Sequence, residues 1–296
     1  MRIRRSLGRV RAWVRSARVD WDVRILSPWA MAAAWIRNRN VPIERLTFEK
    51  LRHARRTETL FILGSGPSLL DVTPDQWSYV SRHDSFGINY SFMVDFVPTY
   101  HLIEDGKEHW HREFTKGILA PRRSKLGPSI WFLSERKPRR GYHPRFVPEL
   151  FPEPARICAF QLPPRLVLDR DRPFTAADFA HSIRYRGTLS LAMYLALELG
   201  YRRLVLLGVD LHTTRHFFFD MPEMQPFVER LSPDRRDEAL PYPQMKPRAG
   251  LYRPLDEYLV ALEALHLRPK GIELSVGSKT STVPLPTFTA WDGDGA

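Results

Sequence analysis

The stretch Thr59–Asp71, TLFILGSGPSLLD, constrains the fold of this chain more than any other. A short apolar run, Leu60-Phe61-Ile62-Leu63, stops at Gly64-Ser65-Gly66-Pro67-Ser68 and restarts with helical character. A buried parallel strand turns into the N-terminus of a helix in this way. Gly64 and Gly66 admit φ > 0 and close approach of the backbone, and Pro67 suits a first helical position. Ser65 and Ser68 set hydroxyls beside amides that a helix start leaves free. The loop is therefore expected to tolerate an anion, against the alternative of a tight strand-to-helix turn with no ligand. No Lys follows to make a Walker A loop, and Leu69 stands where a dinucleotide fingerprint needs its third glycine.

The same rhythm continues along the chain. Apolar runs at Leu60–Leu63, Ser85–Ile88, Tyr100–Glu104, Ile130–Leu133, Arg156–Phe160, Leu204–Leu207 and Ile272–Ser275 predict strands. Thr188–Leu199 and Pro254–His266 predict helices, the first closed by Gly200. This alternation predicts an α/β, Rossmann-like, mostly parallel sheet with helices on both faces. Two Pro-rich stretches break it: an Arg-rich insertion over 107–180, and 213–253, which carries Phe217-Phe218-Phe219 and reads as a lid, or else as a surface insertion over an apolar patch.

Charge divides the chain differently. Residues 1–56 hold 15 Lys and Arg against 4 acidic residues, whereas 57–296 hold 30 against 29, so nearly all of the +12 net charge is N-terminal. A nearly neutral body argues against a nucleic-acid groove over residues 57–296. Within the basic region Ile3, Leu7, Val10, Val14, Ala17 and Trp21 form one helical stripe flanked by arginines. Such a helix is expected to lie on an anionic inner-leaflet surface or to pack on protein. The apolar stretch Ile25–Ile36 is too short to cross a bilayer. A single cysteine, Cys158, rules out an internal disulfide and suits a reducing compartment, so the expected location is cytoplasmic and peripheral on the inner membrane.

Other strand ends carry polar equipment. Asn89 follows one strand with a paired donor and acceptor, suited to a base edge or ribose. Glu104 and Asp105 end the next, where at most one carboxylate faces a given pocket. Gly187, Thr188 and Ser190 open a helix with free amides and hydroxyls. Gly208, Asp210 and His212 end another strand, with Asp210 and His212 two residues apart and so on one side. Together with the glycine loop these groups could surround one nucleotide.

GSGPSL, GINYSF, PTYHLIED and above all RGTLSLAMYLALELGYRRLVLLGVDLH resemble the bacterial family 42 sialyltransferases and the broader superfamily that includes 6-hydroxymethylpterin diphosphokinase-like proteins. The resemblance covers roughly residues 58–106 and 184–284. It implies a CMP-sugar donor held at Gly64, Ser65, Gly66, Ser68, Asn89, Thr188, Ser190, Gly208 and Asp210. In that family the catalytic base is a His just before the last long helix, but Met245–Asp256 contains no His. His212, His216 and Asp210 are the substitute candidates, and Tyr242, Lys246, Arg248 and Tyr252 are candidate contacts for the leaving phosphate. The expected activity is transfer of a sugar from a nucleotide donor to a surface glycan or glycolipid, with no metal cofactor. Two alternatives stay open: Mg²⁺-dependent pyrophosphoryl transfer using Glu104, Asp105 and Asp210, and a non-catalytic nucleotide- or glycan-binding module.

Overall fold

The structure is a computed structural model that describes residues 43–102, 117, 119–135, 155–166, 172–185, 187–211, 216–222, 225, 253–278 and 280–293. Eight strands form one sheet: β1 (Ile43–Arg45), β2 (Thr59–Leu63), β3 (Asp84–Ile88), β4 (Tyr100–Leu102), β5 (Ile130–Glu135), β6 (Ala155–Gln161), β7 (Arg203–Leu207) and β8 (Glu273–Val276). Every pairing is parallel, in the order β1-β6-β5-β4-β3-β2-β7-β8. From β2 the chain works outward through β3, β4, β5 and β6, then returns to the other side of β2 as β7 and β8. The connections leaving β2 and β7 therefore diverge, which makes the gap beyond their carboxyl ends the topological switch point of the sheet.

Because β2 and β3 are covered on both faces, all five residues of each are buried; β2 reads as the apolar run Leu60–Leu63 after Thr59, whereas β3 also buries Asp84 and Ser85 at its start. Alternate side chains serve alternate layers. Leu60, Ile62, Phe86, Ile88, Leu204 and Leu206 pack with helices α3 (Gly187–Glu198) and α4 (Leu255–Leu262). Phe61, Leu63, Val205 and Leu207 pack on the other face with Leu69, Val80, Phe217 and Phe218. Helix α1 (Phe48–Ala54) adds Leu51 to the first layer, and α2 (Pro74–Ser81) adds Val80 to the second.

Local chemistry sets the helix ends. Thr73 and Gln76 form a reciprocal capping box at α2, with Pro74 in the first turn. Beyond α3, Gly200 takes φ +84°, its N–H donates to Leu197 O, and Tyr201 N–H donates to Ala196 O, the two bonds of a Schellman stop. The predicted Pro254–His266 helix runs as α4 and then widens into a π turn over Glu263–Leu267. In that wider winding, residues five apart stack, so the Arg268 guanidinium reaches both carboxylate oxygens of Glu263, at 2.8 and 2.7 Å.

At the amino edge of the sheet the buried Asp84 carboxylate accepts from Arg56 N–H and Nε and from Tyr201 Oη, at 2.8, 2.9 and 2.8 Å. The Tyr201 and Tyr100 hydroxyls lie 3.1 Å apart, and with the single Tyr201 proton on Asp84 it is Tyr100 that donates to Tyr201 Oη. Burial pushes the Tyr100 hydroxyl up to about 12 and Tyr201 further up, so both stay protonated donors that brace β3 and β4. Among the described residues no helix is long and apolar enough to cross a membrane.

Candidate functional site

The switch point is built by two loops that grip each other. Gly64 N–H donates to Leu207 O at 2.7 Å and Gly66 N–H to Gly208 O at 2.8 Å. Asp210, 7% exposed, accepts from Ser68 N–H through Oδ2 and from the Ser68 hydroxyl through Oδ1, both at 2.7 Å. Leu69 N–H closes back on Gly66 O at 3.1 Å, which starts the short 3₁₀ turn Pro67–Asp71. The amides of the glycine loop are thus spent on the neighbouring loop. Between Gly64 and Leu69, Ser65 carries the one N–H with no partner among the described residues. Free amides ready for an anion, as the sequence suggests here, are not what the loop presents.

The glycines are required for a different reason from the one their freedom of φ suggests. Neither Gly64 nor Gly66 lies in the left-handed region. A Cβ on Gly64 would sit 2.2 Å from Gly208 O, and one on Gly66 would sit 2.4 Å from Asp210 Oδ2. Gly208 does take φ +62°, and a Cβ there would meet Leu69 Cβ at 2.8 Å. Close approach of the two loops where β2 and β7 end side by side selects these residues: Gly64 lies against the Gly208 backbone, Gly66 against the Asp210 side chain and Gly208 against Leu69.

Beside the loop, the end of β3 presents Asn89. It is a non-glycine residue with φ +51°, a conformation that Asn tolerates better than most residues. Its Oδ1 accepts from Thr188 Oγ1, in the first turn of α3, at 3.0 Å. Its carbonyl accepts from Nε2–H of His101, on β4, at 3.2 Å. His101 is wholly buried against the Trp131 and Phe92 rings, and burial lowers its pKa to about 4, so the ring is neutral. Ser190 is buried, with its hydroxyl accepting from Tyr185 N–H at 3.1 Å and donating to Gly187 O at 3.3 Å. Gly187, φ +64°, opens α3 with open space around it.

The third wall is aromatic. Phe217 N–H donates to Ser65 O at 3.0 Å, which pins the turn Phe217–Asp220 onto the glycine loop. His216 Nδ1 and Ser65 Oγ lie 3.0 Å apart. The His216 ring stacks on Phe218 at 5.1 Å and meets Tyr90 and Phe219 edge-on at 5.5 and 5.6 Å. Burial, against the hydrogen bond to Ser65, lowers its pKa to about 4. That is far below the near-neutral value that suits a general base at pH 7.

The structure therefore brings Gly64, Ser65, Gly66, Ser68, Gly208, Asp210 and His216 into one contact network, and Asn89 and Thr188 into a second beside it. Ser190 stays within its own turn. His212, Glu104, Asp105, Tyr242, Lys246, Arg248, Tyr252 and the Ile3–Trp21 stripe lie outside the described residues. His101 and Tyr90 are the contributors that sequence reading misses. A lone His inside Tyr100-His101-Leu102 looks like any half-polar strand position, and only the fold shows which carbonyl it meets. The depression among Glu58, Arg202, Arg203, Gly271 and Glu273 lies at the amino ends of β7 and β8, away from the switch point.

No family model matches the chain, and no curated protein matches it. Two solved structures of the sialyltransferase CST-II are similar to it. One is a tyrosine-to-phenylalanine variant in complex with CMP, at 16% identity over 77% of this chain and 85% of that one, with a TM-score of 0.43. The other is in complex with a trisaccharide acceptor and CMP, at 13% identity over 77% and 85% of the two chains, with a TM-score of 0.40. At these identities the likeness is one of fold alone.

Proposed function

We propose that this chain is a glycosyltransferase that takes a sugar from a nucleotide donor seated over the carboxyl ends of β2, β3 and β7. The observation that carries the reading is the Asn89–Thr188 pair at the edge of the switch point. With Oδ1 engaged by Thr188, the Asn89 amide nitrogen is left as a donor of fixed orientation, the group that a base or ribose oxygen requires. Tyr90, His216 and Phe219 pack together as an aromatic wall beside this pair, a kind of surface that suits a base or a sugar. A CMP-sugar donor and a glycan or glycolipid acceptor are the finer form of this reading, and the basic N-terminal stripe would hold the enzyme at an anionic inner-leaflet surface where a lipid-linked acceptor resides.

Roles divide by geometry. Asp210 spends both oxygens on Ser68 and acts as a clamp, while His216 acts as a neutral wall of the pocket. Proton removal from the acceptor hydroxyl falls to His212, whose position in the sequence is two residues beyond Asp210. For the pyrophosphoryl-transfer alternative, Asp210 is the one described member of the acidic set, and Ser68 already occupies it.

A thermal-shift series with CMP, UMP, GMP and AMP, and with their sugar conjugates where these exist, tests the reading, because a ligand that binds only the native state raises its Tm. One nucleotide is expected to raise Tm, with the gain diminished in Asn89→Ala and Thr188→Val. In His212→Ala the binding is expected to persist while sugar transfer falls by at least about 100-fold. Absence of a shift with every nucleotide in the wild-type chain would overturn the proposal.

A further inference from the structure

We infer that His101 is a positioning residue for the nucleotide site: its Nε2–H holds the Asn89 carbonyl and so keeps Asn89 in the left-handed conformation that aims its side chain. The inference deepens the nucleotide reading and rests on it.

Three observations carry it. Nε2 of His101 has a carbonyl oxygen as its partner, so Nε2 bears the proton and the ring is the Nε2–H tautomer. Nδ1, the other nitrogen, is buried with no partner, and so is the nearby Ser91 Oγ. Both point at Gly87. A Cβ on that residue would lie 2.5 Å from Nδ1 and 2.8 Å from Ser91 Oγ, so glycine on β3 is what makes room for the imidazole. Finally, Asn89 follows β3 with φ +51° and has its side chain tied to Thr188.

Energetics gives these facts their meaning. Burying an imidazole with one nitrogen unpaired is unfavourable compared with a leucine or phenylalanine of similar volume, and left-handed backbone at a residue with a Cβ is unfavourable as well. Two local departures that meet in one hydrogen bond are what a site held in a set geometry looks like. The Phe92 and Trp131 rings pack against the imidazole, with centroids 5.6 and 4.7 Å away. The donor atom thus sits on a rigid strand, and the residue it holds sits at the lip of the pocket. His101 itself touches no ligand; its influence passes through Asn89.

The test compares His101→Gln, which keeps a side-chain N–H near the Nε2 position, with His101→Leu, which removes it, each in the full chain with and without Asn89→Ala. The probe is whichever of CMP, UMP, GMP and AMP raises the wild-type Tm most, and the readout is its Kd. His101→Leu is expected to weaken binding about tenfold and His101→Gln no more than about threefold, while His101→Leu adds nothing on top of Asn89→Ala. Wild-type affinity in His101→Leu, or the same tenfold loss in the Asn89→Ala background, would overturn the inference. Asn89 ¹³Cα and ¹³Cβ shifts in the ligand-free protein separate its failure from that of the nucleotide reading. A left-handed signature that survives His101→Leu sinks the positioning role. If that signature is lost but no mononucleotide binds the wild type, the nucleotide reading falls instead. Should His101→Leu fail to fold, imidazole ¹⁵N shifts of the wild-type chain decide, since an Nδ1–H tautomer contradicts the bond to Asn89.

Discussion

At Gly64 the atom nearest to a would-be Cβ is a backbone oxygen, whereas at Gly187 nothing lies within 4 Å and only φ +64° stands against a side chain. Two glycines in the same site are therefore constrained by unlike forces. Gly187→Ala is expected to cost about 1–2 kcal/mol, the ordinary penalty of left-handed backbone. Gly64→Ala must part β2 from β7, and a loss of more than about 3 kcal/mol is expected, up to failure to fold. Urea denaturation of the two variants checks this, and a milder effect at Gly64 than at Gly187 would contradict the account. The sequence offers φ > 0 and close approach as reasons for glycine at positions 64 and 66 but does not decide between them, because the partner that forbids a Cβ at residue 64 is 144 residues away at Gly208. His101 is more hidden still: its neighbours in the chain are apolar, and its meaning depends on β4 lying beside β3.

Elements are easier to read than residues where both faces are covered. The seven predicted strands all form, since each carries a short apolar run that the sheet buries. The eighth, Ile43–Arg45, escapes notice because it is a three-residue edge strand ending in two exposed charged residues. What joins the elements at the site is the Asp210 carboxylate, which fastens the loop after β7 to the 3₁₀ turn after β2. Asp210→Asn tests the clamp, because the Asn amide keeps one acceptor oxygen where the carboxylate has two: its nitrogen only donates, so one of the two bonds from Ser68 must reverse and both lose the help of the charge. The expected loss is about 2–3 kcal/mol of stability, and Ser68→Ala in the same background should add less than it costs alone. If Asp210→Asn abolished transfer at unchanged Tm and unchanged nucleotide affinity, the residue would be the base and not the clamp.

Over the whole molecule, strand order decides what the parts can do, and no local pattern in the sequence contains it. The alternation of strands and helices implies a parallel sheet, yet only the return of β7 to the far side of β2 creates the switch point where the two loops meet. That geometry also encloses two histidines near the carboxyl end of the sheet, His101 fully and His216 in part, each with its pKa lowered from 6.5 to about 4, chiefly by desolvation. In the unfolded chain both take up protons near pH 6.5, whereas in the folded state they resist until about pH 4. The unfolded state therefore binds more protons throughout that window, and stability must fall as pH drops through it, with the full value kept above about 6.5. For His101, which is wholly enclosed, the loss is on the order of 3 kcal/mol; for His216, which is less enclosed, it is smaller. Asp178, held at about 2 mainly by its hydrogen bond to Arg172, loses its contribution only below its ordinary value of 3.8, outside the window. Urea midpoints are thus expected to decline between pH 7 and pH 4.5 and to decline less in His216→Phe. A midpoint that is flat over this range, or a slope untouched by that substitution, would mean that the His216 ring is open to water in the folded protein and does not form the wall of the pocket.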